Sequence, residues 1–148
     1  MPSYTSITEA KVYFNDRLSV DPWTCATSDQ RRRALAQATT LIDRLNFAGC
    51  RADTNQVNQF PRDTDTVVPQ DIKNATSEIA LALLDGVDPQ IEYENLTLRS
   101  QAYAGLRANY DQELVNPHFL AGIPSIMAWR FLAPYLRDPY EVHVERIN

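Results

Sequence analysis

Glycine is scarce in this chain: four residues in 148, at positions 49, 86, 105 and 122. Glycines so dispersed cannot build a Gly-rich phosphate loop, which excludes the nucleotide-binding folds that depend on one. Metal-ligating side chains are just as sparse. Cys25, Cys50, His118 and His143 are the thiols and imidazoles of the chain, and no pair has the CxxC or HxxxH spacing of a zinc site. Two cysteines are too few for a disulfide framework. No GxSxG or HExxH motif occurs, and neither histidine has a serine or cysteine close in sequence, although sequence distance alone does not exclude a spatial triad. We therefore expect no catalytic set, no metal and no cofactor. No apolar run approaches the roughly 20 residues needed to cross a bilayer, and MPSYTSITEA has no signal-peptide core. The expectation is a protein made in a cytoplasm, with no membrane partner. Lysine is nearly missing too. Of 14 basic residues only Lys11 and Lys73 are lysine, and the rest are arginine. Arginine suits interfaces through its rigid fork and weaker hydration.

What is present is an ordinary globular composition, 44% hydrophobic and 22% charged, long enough to bury one core unaided. The net charge of −5 argues mildly against a general nucleic-acid binder. Its distribution is more informative. Residues 31–62 carry six Arg and two Asp, a charge of +4, whereas residues 63–98 carry one Lys and eight acids, a charge of −7. A protomer divided in this way can pair head to tail with its own copies, the kind of contact that closes rings.

Helical periodicity dominates. Ser6-Ile-Thr-Glu9 has capping-box form and starts a stripe of Ile7, Ala10, Phe14 and Leu18 that Asp21-Pro-Trp23 should end. Thr27-Ser-Asp-Gln30 is a second capping box, leading into a helix with Leu35, Ala38, Ile42 and Leu45 on one face and Gly49 as its C′ residue. Residues 50–68 read as a long polar connection. A third helix opens at Pro69, with Asp71 in its first turn and a face of Ile72, Ala75, Thr76, Ile79, Ala82 and Leu83. Its second half is apolar nearly all round, which marks a central helix. Residues 91–100 alternate well enough for a strand, so 87–117 is expected to be an extended excursion or hairpin. A last helix should begin at Gly122, pack through Ile123, Ile126, Met127 and Phe131, and kink or end at Pro134. Residues 138–148 alternate Tyr140, Val142 and Val144 against Glu141, His143 and Glu145, like a strand awaiting a partner. The fold expected is mainly α: a bundle of about four helices in a single domain over 1–137, with an extended partner-binding tail at 138–148.

The stretch FAGCRADTNQVNQFPR (47–62) poses the functional question. It has no general base or partnered nucleophile, so an active-site loop is disfavoured. Phe47 and Phe60 should pin its ends to the bundle, leaving Arg51 and Arg62 for salt bridges within or between subunits. Asp63, Asp65 and Asp71 could hold a cation, but a solvated turn and a helix N-terminal charge explain them better. A nucleic-acid site would rest on Arg31, Arg32 and Arg33, with Arg44, Arg51 and Arg62 nearby. Single-strand binding also needs aromatics that stack bases, and only Phe47 and Phe60 lie in this basic region. Three consecutive arginines on a helix point about 100° apart, so a solvated helix start or an intersubunit salt-bridge row is the preferred reading. The candidate subunit interface comprises Arg31, Arg32, Arg33, Arg51 and Arg62 with Asp63, Asp65, Asp85 and Asp88. Trp129, beside an apolar helix face, is a candidate interface anchor.

The succession SYTSITEAKVYFNDRL, TSDQRRRALAQATTLIDRLNFAG, QFPR and VPQDIKNATSEIALALL resembles tailed-bacteriophage head–tail connector proteins (adaptor, head-completion or neck proteins). Some of these are in turn similar to a DnaT-like single-stranded-DNA-binding domain. The likeness covers about residues 3–86, and IPSIMAWRFLAPYL more loosely. Gly49-Cys50-Arg51 stands where relatives have Gly-Arg, and Phe60-Pro61-Arg62 where they commonly have Trp-Pro-Arg. The resemblance implies a structural virion protein in the neck between capsid and tail. There it would form a homo-oligomeric ring, as a rule a dodecamer, with the portal and the tail, nozzle or tail-completion proteins as partners and transient, non-specific contact with genomic duplex DNA. It also implies portal or tail docking through Trp129, Tyr135, Arg137, Tyr140, Val142, Val144 and Ile147. The alternative is a single-stranded-DNA-binding module of DnaT-like type.

Overall fold

The computed structural model describes residues 2–95 and 117–138. It is mainly helical, and among the described residues the only β pairing is two isolated bridges, Phe47 with Leu136 and Arg51 with Arg62. Helix α1 (Ile7–Asn15) starts at the expected capping box: the Ser6 hydroxyl accepts from the Glu9 amide and the Glu9 carboxylate accepts from the Ser6 amide. It stops before Leu18, which is left 83% exposed. Asp21-Pro-Trp23 does not end α1 but opens a separate short helix, α2 (Asp21–Cys25), because a proline in the first turn has no amide to lose there. Trp23 then packs its ring 4.9 Å from that of Phe14.

Helix α3 (Ser28–Asp43) has the predicted Thr27/Gln30 capping box and buries Leu35, Ala38 and Ile42. Its C-cap is Arg44, so Gly49 is not its C′ residue. Gly49 instead takes φ +76 in the following loop, where an added Cβ would collide with the Asp63 carboxylate. Helix α4 (Gln70–Leu84) is the central one, packed on α1, α2, α3 and the C-terminal helix, with Ile72, Ala75, Thr76 and Ile79 fully enclosed. It also carries a buried acid, Glu78. Tyr13 Oη donates to Glu78 Oε1 at 2.8 Å, and Arg17 Nε donates to the same oxygen at 2.9 Å. A buried carboxylate so paired ties the end of α1 to the core, and with burial it raises the Tyr13 pKa.

The expected strand at 91–100 is overturned over 91–95, its described part. Residues 89–95 are helical (α5), opened by the Asp88 carboxylate accepting from the Gln90 amide; residues 96–100, like the rest of the expected excursion to 116, lie outside the described residues. Next come a single turn, α6 (Pro117–Leu120), and α7 (Ile126–Leu132), capped by Ser125. Helix α7 begins four residues later than predicted, which turns its face. Ala128 and Leu132 are enclosed, whereas Ile126 and Met127, expected in the core, are 47% and 37% exposed. Ile123 is buried as expected. Pro134 ends α7 as predicted, in a 3-10 turn over Ala133–Tyr135. The tail positions Tyr140, Val142, Val144 and Ile147 lie outside the described residues.

Candidate functional site

The loop from 44 to 69 is built inward. Phe47 and Phe60 are buried with ring centroids 4.7 Å apart, and Phe60 also meets Tyr4 and Tyr135 edge-on. The peptide bond between Phe60 and Pro61 is cis. The Tyr4 hydroxyl donates a hydrogen bond to Asp43, and its oxygen accepts from the Phe60 amide at 3.2 Å. Burial and the Asp43 carboxylate hold the Tyr4 pKa far above its ordinary value. Both phenylalanines thus pin the loop, as expected, and neither offers a face to a base.

Arg62 is the keystone of the loop and not a surface charge. It is 9% exposed. Its Nε donates to Ala48 O at 2.9 Å, Nη1 to Gln59 O and Oε1, and Nη2 to Phe47 O and Gly49 O. All five N–H groups of the guanidinium are therefore spent on carbonyl oxygens, with the cation 5.9 Å from the centres of both Phe47 and Phe60. No acid, from its own chain or a neighbour, is needed to explain it, which removes Arg62 from the candidate interface. Asp63 is exposed and also serves the loop. Its Oδ1 accepts from the Cys50 amide at 2.9 Å, locking the base of the loop. Asp85 is the C-cap of α4, and Asp88 opens α5.

Arg31 is structural too. It donates to Trp23 O and Thr24 O, each at 2.9 Å, and lies over the Trp23 ring, joining α2 to α3. Of the predicted docking residues, Trp129 is half-buried against the core, and Tyr135 donates to Asp71 Oδ2 at 3.0 Å. Arg137 is exposed, its amide bonded to Asn46 O. Asp63, Asp65 and Asp71 form no common site, and among the described residues no group of His, Cys, Asp and Glu is arranged to hold a metal.

Among the described residues, the cations left to solvent are Arg32, Arg33, Arg44, Arg51, Arg130, Arg137 and Lys11. Arg32 and Arg33 share one carboxylate, Asp29, at 2.8 Å each, with side chains 66% and 73% exposed. Beside them lies an open groove of about 470 Å³ lined by Ser3, Tyr4, Thr5, Ser6, Ile7, Glu9, Arg32, Leu35 and Ala36. The groove is invisible in sequence. It forms because the Ser3 hydroxyl and Tyr4 amide bond to Thr39, laying the N-terminal segment along α3.

A family model described as "Putative DnaT-like ssDNA binding protein" matches residues 1–146. The chain belongs to this family. Neither a search of curated proteins nor one of solved structures returned a match. Membership over the whole chain overturns the head–tail connector expectation: nothing in the match points to a virion neck, a portal or a tail. The connector resemblance rested on an order of helices and short aromatic–Pro–Arg texture. The structure explains that texture as loop anchoring by Phe60 and Arg62, a packing role that says nothing of an assembly. A DNA contact, expected under both readings, fits the family. The ring, portal and tail partners and the duplex in a channel lose their support with the connector reading.

Proposed function

We propose that this protein is a binding module for single-stranded DNA, acting by contact and not by catalysis. The family match across residues 1–146 carries this reading. The distribution of aromatics adds its character. Phe47 and Phe60 are enclosed, and the aromatic side chain most open to solvent among the described residues is Tyr93, at 44%. With few stacking platforms among the described residues, affinity there rests on arginine–phosphate contacts, so binding is modest, indifferent to sequence and steeply dependent on salt.

Fluorescence anisotropy of a labelled oligothymidylate, titrated with protein at several salt concentrations, tests this directly. The expected result is binding at low salt that weakens linearly on a log–log plot against salt, with an equal-length duplex bound less tightly. No binding at the lowest salt would sink the proposal, and tighter binding of the duplex would reassign it.

A further inference from the structure

Among the described residues, two groups of exposed arginines compete for the phosphates, and local charge separates them. In the loop and the segment bridged to it, Arg44, Arg51 and Arg137 are exposed and Arg62 is buried, but the same segments carry Asp43, Asp53, Asp63, Asp65 and Asp138, an excess of one negative charge. At the start of α3, Arg31, Arg32 and Arg33 stand with Asp29, and Glu9, which lines the adjacent groove, is paired with Lys73 at 2.7 Å, an excess of two positive charges. Arg32 and Arg33 each use one nitrogen on Asp29, which leaves most of each five-donor fork unspent. Exposed ion pairs of this kind are worth little and exchange readily, whereas a phosphate offers arginine a matched, bidentate acceptor.

Shape points the same way. The groove's volume is that of a small-ligand site, and its walls divide by chemistry. Ile7, Leu35 and Ala36 contribute an apolar side, Ser3, Thr5 and Ser6 contribute hydroxyls, Glu9 is held by Lys73, and Arg32 lines the groove with Arg33 the next residue along α3. We propose that this groove seats one nucleotide of the single strand, its base and sugar against the apolar side and the flanking phosphates on Arg32 and Arg33. This rests on the single-strand reading above and names the site that reading leaves open.

The same anisotropy assay decides it with three variants, each checked for an unchanged melting temperature. Arg32→Gln with Arg33→Gln should weaken oligothymidylate binding on the order of ten-fold at moderate salt and flatten the salt slope by about 1.4, the share of two phosphates. Ala36→Leu, which fills the groove without touching charge, should weaken binding and leave the slope alone. Arg44→Gln with Arg51→Gln and Arg137→Gln should bind as the parent does. If the parent binds while the α3 double variant or Ala36→Leu keeps full affinity, or while the loop variant loses as much, the groove is the wrong site and the single-strand reading stands. If the parent does not bind at all, both fall.

Discussion

Truncating Arg62 to alanine isolates what this one side chain does for the loop. The substitution removes five hydrogen bonds, to the carbonyls of Phe47, Ala48, Gly49 and Gln59 and to the Gln59 side chain. The costs differ by burial. The bond to Phe47 O is fully enclosed, so that acceptor is stranded at about 2 kcal/mol. The others are half-buried and can recruit water, losing roughly 0.5 kcal/mol each. The total is about 3–4 kcal/mol, which in a domain of this size lowers the melting temperature by roughly 6–16 °C. Arg62→Lys keeps the charge but has three donors and no planar fork, so it should recover less than half of the loss. Urea unfolding, followed by circular dichroism, reads both. An Arg62→Ala protein within about 0.5 kcal/mol of the parent would refute the clamp and return Arg62 to the salt-bridge role first expected of it.

Phe60→Ala should behave as a core deletion, costing about 3–5 kcal/mol, since Phe60 is 4% exposed and ringed by Tyr4, Phe47 and Tyr135; a variant of undiminished melting temperature that no longer binds single-stranded DNA would show it to be a stacking platform instead. The Glu9–Lys73 pair predicts a pH dependence. Lys73 and the Ser6 amide hold the Glu9 pKa at about 2, against 4.5 unperturbed. The unfolded chain therefore binds more protons between those values, and the stability from Glu9 is whole above pH 4.5 and lost as pH falls towards 2. Glu9 is half-exposed, so the effect stays below about 1 kcal/mol. Lys73→Met should narrow its gap from the parent between neutral pH and pH 3 in urea midpoints, and a gap that does not change with pH would discard the pair as the cause.

Local signals in the sequence determined where helices begin. Capping boxes at Ser6 and Thr27, and the apolar faces of α3 and α4, are set by contacts a few residues apart, and the structure keeps them. The phase of α7 was not legible, because Ser125 rather than Gly122 opens it and a shift of a few residues turns a different face inward. Nor was the helix over 89–95, where alternation suggested a strand but Asp88 opened a helix. The chemistry of the arginines belonged wholly to the tertiary structure. Arg31, Arg32, Arg33 and Arg62 are the same residue type in one basic stretch, yet one stacks on Trp23, two share Asp29 in solvent, and one is enclosed by carbonyls. A guanidinium's role depends on which acceptors the fold brings within hydrogen-bond reach, and those acceptors come from segments far along the chain. The groove beside Arg32 has the same origin: Ser3 and Tyr4, which line it, are held on α3 by Leu35 O and Thr39, more than 30 residues away.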